Sequence, residues 1–186
     1  MKVEGLIRCD WANTLPLQVY HDEEWGDFSL DDNVHFEHIC LEGFQSGLSW
    51  GIILRKREAL RKMFRGFKPE KIVDIPEKEI ERIYLDERGI RNRKKIDSVF
   101  NNARCFLEIQ RKYGSFAEHI FEFIGGKIVV GSYESSRELP PFTESSVRLG
   151  KYLKKQGFTY VGPTTIYAHM QAVGFVNDHI NFCFKK

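Results

Sequence analysis

The chain has 186 residues, 29% of them charged, and a formal net charge of only +2. A protein that coats nucleic acid over its whole surface would be far more basic, so any such contact must come from local clusters. Apolar residues at 42% and fifteen Phe against seven Tyr are ordinary for a soluble globular protein and allow a dense core.

Residues 1–8 hold no apolar stretch long enough for a signal peptide. No apolar run reaches the roughly 18 residues of a membrane span, so a cytoplasmic protein with no membrane partner is expected. In that compartment the four cysteines read as thiols or metal ligands rather than disulfides.

In chain order, Phe36, Ile39, Cys40, Gly43 and Gly47 recur at helical spacing and predict a long helix over 31–47. Ser49 suits the N-cap of a second helix to about Phe64, with Trp50, Ile53, Leu54 and Leu60 facing inward. The basic residues of this segment, Arg55, Lys56, Arg57, Arg61, Lys62 and Arg65, read as its exposed face. Pro69 and Pro76 each suit the first turn of a short helix, the second running to about Arg88. Further helices are predicted from Asn92 to about Lys112 and over 116–124, 145–156 and 164–174. Gly125-Gly126 followed by 128–130 is the only strand-like feature. The fold class is therefore all-α. A single domain over 1–186 is expected, with one lobe from both termini and the first helices and a central lobe over roughly 66–160. The helix number suggests a cleft between the lobes, although no linker separates them.

Two clusters carry chemistry. Cys9 and His21 near the start, with His179 and Cys183 near the end, would fill a tetrahedral metal site completely, leaving no position for water. His179 and Cys183 would share one face of a helical turn. Spacing alone cannot pair regions so far apart, so the residues by themselves leave the site open. Cys40 and Cys105 sit among apolar neighbours and read as small buried hydrophobes.

The second cluster is the run from Leu85 to Lys95. Gly89 fits the left-handed position that closes one helix, and Asn92 fits the N-cap that opens the next. So short a connection makes a tight hairpin whose amides and helix dipole favour an anion. With Arg88, Arg91, Arg93, Lys94 and Lys95 alongside, the anion would be a DNA phosphate gripped without reading sequence. A solvated charged loop is the equal alternative.

Four long motifs then carry a resemblance. These are Tyr20-His21-Asp22-Glu23-Glu24-Trp25-Gly26, Leu41-Glu42-Gly43-Phe44-Gln45-Ser46-Gly47-Leu48-Ser49-Trp50, Gly89-Ile90-Arg91-Asn92-Arg93-Lys94-Lys95-Ile96, and Gly162-Pro163-Thr164-Thr165-Ile166-Tyr167-Ala168-His169-Met170-Gln171-Ala172 continuing to Val176-Asn177-Asp178-His179. In this order, from about residue 8 to residue 183, they resemble the 3-methyladenine DNA glycosylase I branch of the helix-hairpin-helix DNA glycosylases.

The resemblance implies an all-α glycosylase fold with a base-binding cleft. It also implies a structural zinc ion (Zn2+) joining the termini through Cys9, His21, His179 and Cys183. Glu42 would hydrogen-bond the extruded adenine, Tyr20 would line the pocket and Trp50 would stack on the base, with Trp11 and Trp25 nearby. The hairpin residues Gly89, Arg91, Asn92, Arg93 and Lys94 would hold the DNA backbone. Two departures stand out: the Cys9-to-His21 separation is one residue shorter than in family members, and Leu17 replaces a Tyr that some members place against the base.

The implied reaction is excision of 3-methyladenine from alkylated double-stranded DNA by a monomer, with free 3-methyladenine as product. Many hairpin glycosylases stabilise the sugar cation with an aspartate downstream of the hairpin. Here Asp97 and Glu108 do not match that motif, and no lysine nucleophile is indicated. A monofunctional enzyme without lyase activity is expected, because a cationic base leaves readily. Periodicity alone says otherwise of Glu42: it falls beside His35, His38 and Ser46, away from the apolar stripe, and reads as a surface residue. By default Tyr20 and Trp50 would be core residues. A DNA-binding protein without catalysis and a zinc hydrolase are the rival readings, the latter needing an open coordination position.

Overall fold

This computed structural model describes residues 5–186, and among them the chain is mostly helical as expected. The helices are α1 (Leu15–Glu23), α2 (Asp32–Gln45), α3 (Trp50–Met63), α4 (Pro69–Ile72), α5 (Glu77–Leu85), α6 (Arg93–Tyr113), α7 (Phe116–Phe123), α8 (Glu144–Lys155) and α9 (Pro163–Ala172). Two short strands, β1 (Val129–Val130) and β2 (Val176–Asn177), pair in parallel with Val129 opposite Val176. The first lies in the strand-like segment 128–130; the second has no counterpart among the expected elements, since two residues carry no period. Among the described residues no helix is long and apolar enough to cross a membrane.

Local chemistry sets the helix ends. Asp31 caps α2, its carboxylate accepting from the N–H groups of Asn33 at 2.7 Å and Val34 at 3.4 Å. Asp32 reaches across to the start of α7 and accepts from the N–H groups of Phe116 and Ala117 at 3.0 and 2.7 Å. A carboxylate at a helix N-terminus typically contributes about 1 kcal/mol. Asn92 caps α6 as expected, accepting from the Lys95 N–H at 3.2 Å.

Helix α2 is the centre of the molecule, packed against α3, α6, α7 and α9. Phe36, Leu41 and Phe44 are fully buried in one large core with Phe64, Phe106, Phe116 and Phe175. Burying each such ring contributes about 1.5–3 kcal/mol. Enclosed on several sides, this helix buries nine of its fourteen residues, which overturns the surface reading of Glu42: it is 5% exposed, and His35 and His38 are buried beside it. A smaller cluster joins Cys9, Tyr20, Trp25, Ala172, Ile180 and Cys183, and Trp50 packs against both clusters.

Helix α1 has no counterpart among the expected elements, and the reason is visible. Only Tyr20 and His21 of its nine residues are buried, while Leu15 and Val19 face solvent, so no apolar stripe marks it. Helix α5 stops at Leu85 rather than near Arg88, because the Asp86 carboxylate accepts from the Arg88 N–H at 2.9 Å and turns the chain. Gly89 does not adopt the expected left-handed conformation. Its Cα packs so close to Met63 that a Cβ would meet Sδ at 2.9 Å. The basic face of α3 also needs correction, since Arg57 is largely buried by Glu24 and Glu37.

Candidate active site and metal centre

The two ends of the chain meet at Cys9, His21, His179 and Cys183, all buried, with one donor atom from each lying within 4.8 Å of the others. Cys183 Sγ lies 3.3 Å from His21 Nε2 and 3.4 Å from His179 Nδ1, and Cys9 Sγ lies 3.6 Å from His179 Nδ1. Zinc bonds of about 2.3 Å to sulfur and 2.0 Å to nitrogen make tetrahedral edges of about 3.5 Å, so the donor set fits such an ion. His179 and Cys183 do not share the helical turn expected of them; both lie in the loop after β2, tightened by the Cys183 N–H donating to Ile180 O at 2.9 Å.

The surroundings match the chemistry of these ligands. His21 Nδ1 lies 2.9 Å from Asp22 Oδ1, and His179 Nε2 lies 3.2 Å from the Trp25 carbonyl, which leaves the opposite ring nitrogens facing the sulfurs. The N–H of Ile180 points at Cys9 Sγ and that of Lys185 at Cys183 Sγ, at 3.4 and 3.5 Å. Burial lowers His179 to about 4, keeping the ring in the neutral form that a metal ligand needs. Gly26, with φ of 85°, is required here, since a Cβ would stand 2.7 Å from His179 Nε2.

Against this centre lies a cavity of about 460 Å³ whose lining includes Trp11, Tyr20, Trp25, Glu42 and Trp50. All five residues assigned to the pocket by resemblance therefore share one hollow. The Trp11 and Trp25 rings meet edge-on at 5.0 Å, and Tyr20 and Trp50 stand 5.2 Å apart with a 56° tilt. Trp25 in turn packs on His179 at 4.5 Å, so the aromatic wall rests on the Cys9–His21–His179–Cys183 cluster. Leu17 also lines the cavity and offers an aliphatic surface at its departure from the family pattern.

Glu42 makes no side-chain hydrogen bond among the described residues. Burial pushes its carboxyl up to about 8. Such a group favours a ligand that brings positive charge or N–H donors. Gln171, which the sequence reading left without a role, lines the same cavity and donates Nε2 to Asp178 at 2.8 Å. Its place within the Gly162–Ala172 motif was the only signal for it.

The hairpin residues lie apart from this hollow. Gly89, Arg91 and Asn92 border a second concavity, where the α2–α3 turn faces the α5–α6 connection. Arg91 pairs with Glu87 at 3.3 Å and Arg93 with Glu81 at 3.1 Å, all exposed. Lys94 is exposed and has no ion pair among the described residues. Lys95 departs from the phosphate reading: it is buried, and its ammonium donates to the carbonyls of Phe44, at 2.7 Å, and Ser46.

Comparison with known proteins agrees with this geometry. Residues 11–186 match the family model described as methyladenine glycosylase. The chain is 40% identical over 177 residues to the DNA-3-methyladenine glycosylase of Haemophilus influenzae, spanning 95% of this chain and 96% of that one. It is 41% identical to DNA-3-methyladenine glycosylase 1 of Escherichia coli over the same length, covering 95% of each. A crystal structure of 3-methyladenine DNA glycosylase I superposes with a TM-score of 0.91 at 42% identity, covering 96% of this chain and 98% of that one. The Staphylococcus aureus enzyme, solved for the structural basis of its 3-methyladenine recognition, superposes with the same score at 30% identity, covering 96% of each. The chain belongs to the methyladenine glycosylase family.

Proposed function

We propose that this protein excises 3-methyladenine from alkylated double-stranded DNA by hydrolysing its N-glycosidic bond. The free base is released and an abasic site remains. The observation that carries the reading is a buried carboxylate, Glu42, without a hydrogen-bond partner in an aromatic cavity. A purine methylated on N3 is cationic, so it is drawn both to the ring faces and to the carboxylate. The exocyclic amine of adenine supplies N–H donors that guanine lacks at that position.

A stacked base cannot enter such a hollow, so the nucleotide must rotate out, at a cost of a few kcal/mol. Stacking against Trp50 offsets about 1–3 kcal/mol of that cost. The glycosidic bond then breaks with both electrons moving to the base, which leaves neutral. Water adds to the sugar carbon and gives up a proton to solvent. Because the leaving group already carries its charge, little acid catalysis is required. Among the described residues the cavity lining includes Arg55 but no lysine to form an imine with the sugar, which supports a monofunctional reaction without strand cleavage.

The α5–α6 connection would hold the DNA backbone as a helix-hairpin-helix element. The concavity bordered by Gly89 and Asn92 would receive the phosphate, with Arg91, Arg93 and Lys94 around it. The exposed ion pairs of Arg91 and Arg93 are each worth at most about 1 kcal/mol, so a phosphate can replace the carboxylates. A zinc ion held by Cys9, His21, His179 and Cys183 would be structural, with all four positions filled by protein. It would supply folding free energy by tying the termini beneath the aromatic wall. In this arrangement both termini and the first helices would form one lobe, residues of roughly 66–160 with the hairpin the other, and the protein would act as a monomer.

Incubation with methylated duplex DNA, followed by chromatography of the released bases, tests the activity. Wild type should release 3-methyladenine, leave alkali-labile abasic sites and make no cuts of its own; no released base would refute the reading.

A further inference from the structure

Each of the three central cavity residues stands on a different helix: Tyr20 on α1, Glu42 on α2 and Trp50 at the start of α3. A chain of charged groups joins the same three helices behind them. Glu24 caps α1 one turn after Tyr20, donating its N–H to the Tyr20 carbonyl at 3.1 Å. His38 stands on α2 one turn before Glu42, and Arg57 on α3 two turns after Trp50. Spacings of four and seven keep each of these groups on the helix face of its cavity residue.

The contacts are closed and largely buried. Arg57 Nη1 and Nη2 donate to the two Glu24 oxygens, each at 2.6 Å, while its Nε donates to Glu37 Oε1 at 2.6 Å. His38 Nε2 lies 2.7 Å from Glu24 Oε1, and its ring lies 6.3 Å from that of Tyr20. Burial alone would raise Glu24, but hydrogen bonds from His38 and Arg57 bring it down to about 2, so it is held as an anion. Helix α1 has few other anchors, burying only Tyr20 and His21.

We propose that the Glu24–Arg57–His38 network is a positioning device that sets the gap between Tyr20 and Trp50 around Glu42. The proposal rests on the reading of this cavity as a base pocket, and it assigns to Glu24, Arg57 and His38 a role in recognition without contact to the base. Arg57 suits the task because its planar fork bridges Glu24 bidentately and reaches Glu37 as well, which a lysine cannot do.

The test compares Glu24→Gln and Arg57→Lys with Arg61→Met, whose parent side chain shares Glu37 at 2.8 Å but makes no contact with Glu24. Because a buried charge left alone can unfold a protein, Glu24→Gln/Arg57→Met is added as a neutral pair. Near-ultraviolet circular dichroism of the free proteins reads the aromatic geometry. Titration with free 3-methyladenine, followed by tryptophan fluorescence, reads recognition. The network variants should keep the far-ultraviolet spectrum, change the near-ultraviolet band and weaken 3-methyladenine binding about tenfold, while Arg61→Met matches wild type. Folded network variants with the wild-type aromatic band and affinity, or an equal change in Arg61→Met, would overturn the proposal. If wild type itself fails to bind 3-methyladenine, the base-pocket reading falls, and the near-ultraviolet comparison still decides whether the network sets the ring geometry.

Discussion

The terminal cluster and the α5–α6 connection make an instructive pair. In the first, donor atoms from Cys9, His21, His179 and Cys183 converge within 4.8 Å, and aromatic rings pack directly on them. In the second, Arg91 and Arg93 form exposed pairs with nearby carboxylates, and Lys94 stands free among the described residues. One region is locked before any ligand arrives; the other holds charges in exchangeable partnerships. A pocket for one damaged base requires fixed walls, since a misplacement of about 1 Å can cost a hundredfold in rate. A grip on any phosphate requires charge and reach more than a single geometry.

If the termini are locked by a metal, breaking that lock should have the largest effect. Cys183→Ser should cost about 4 kcal/mol and lower the thermal midpoint by about 10 °C. A chelator should lower the wild-type midpoint toward that of the variant. Zinc at one equivalent is expected by elemental analysis of fresh protein, and a metal-free wild type with an unchanged midpoint would remove the staple. Next comes the pocket: Glu42→Gln keeps the shape and removes the charge, so kcat/KM on methylated duplex DNA should fall about a hundredfold, near 2.7 kcal/mol, with the fold intact.

The two regions also differ in how far the sequence reveals them. Asn92 and the helices around it follow from short-range signals, because capping and periodicity act within a few residues. The Cys9, His21, His179 and Cys183 set joins residues more than 150 positions apart, a distance over which spacing carries no information; only the match of several motifs to a known family brought the four together. Glu42 failed for a different reason. A helical wheel divides a helix into a wet and a dry side, and α2 has neighbours on nearly every side. Helix α1 was illegible because it is anchored by Tyr20, His21 and a charged cap rather than by an apolar stripe. Lys95 read as part of a basic run, yet its role is to satisfy the last carbonyls of α2, which no sequence pattern announces.

The elevated Glu42 carboxyl sharpens the contrast further, because pH should act on the pocket. Its folded value of about 8 lies above the ordinary 4.5, so the empty protein favours the protonated form. The stability it contributes is fully present below about pH 4.5 and is lost as pH rises through about 8. The thermal midpoint of Glu42→Gln minus that of wild type should therefore increase across this interval and level off above it. A cationic base needs the ionised carboxylate, so kcat/KM should rise by roughly a decade between pH 7 and 9 and then flatten. A flat difference curve would place Glu42 in water rather than in the cavity wall.

The smallest effects are expected on the hairpin, where two adjacent lysines separate grip from scaffold. Lys94 is exposed, and one lost phosphate contact should weaken binding to any duplex a few-fold and reduce the slope of log K against log salt by about 1. Lys95 donates to the carbonyls of Phe44 and Ser46, which close α2 at the turn between cavity and hairpin. Lys95→Met would strand the buried Phe44 carbonyl, at about 1–3 kcal/mol of stability, and leave the salt slope unchanged. If Lys95→Met changed the salt slope while Lys94→Met did not, the division of labour would be reversed, and the turn after α2 would belong to the DNA grip rather than to the scaffold beneath it.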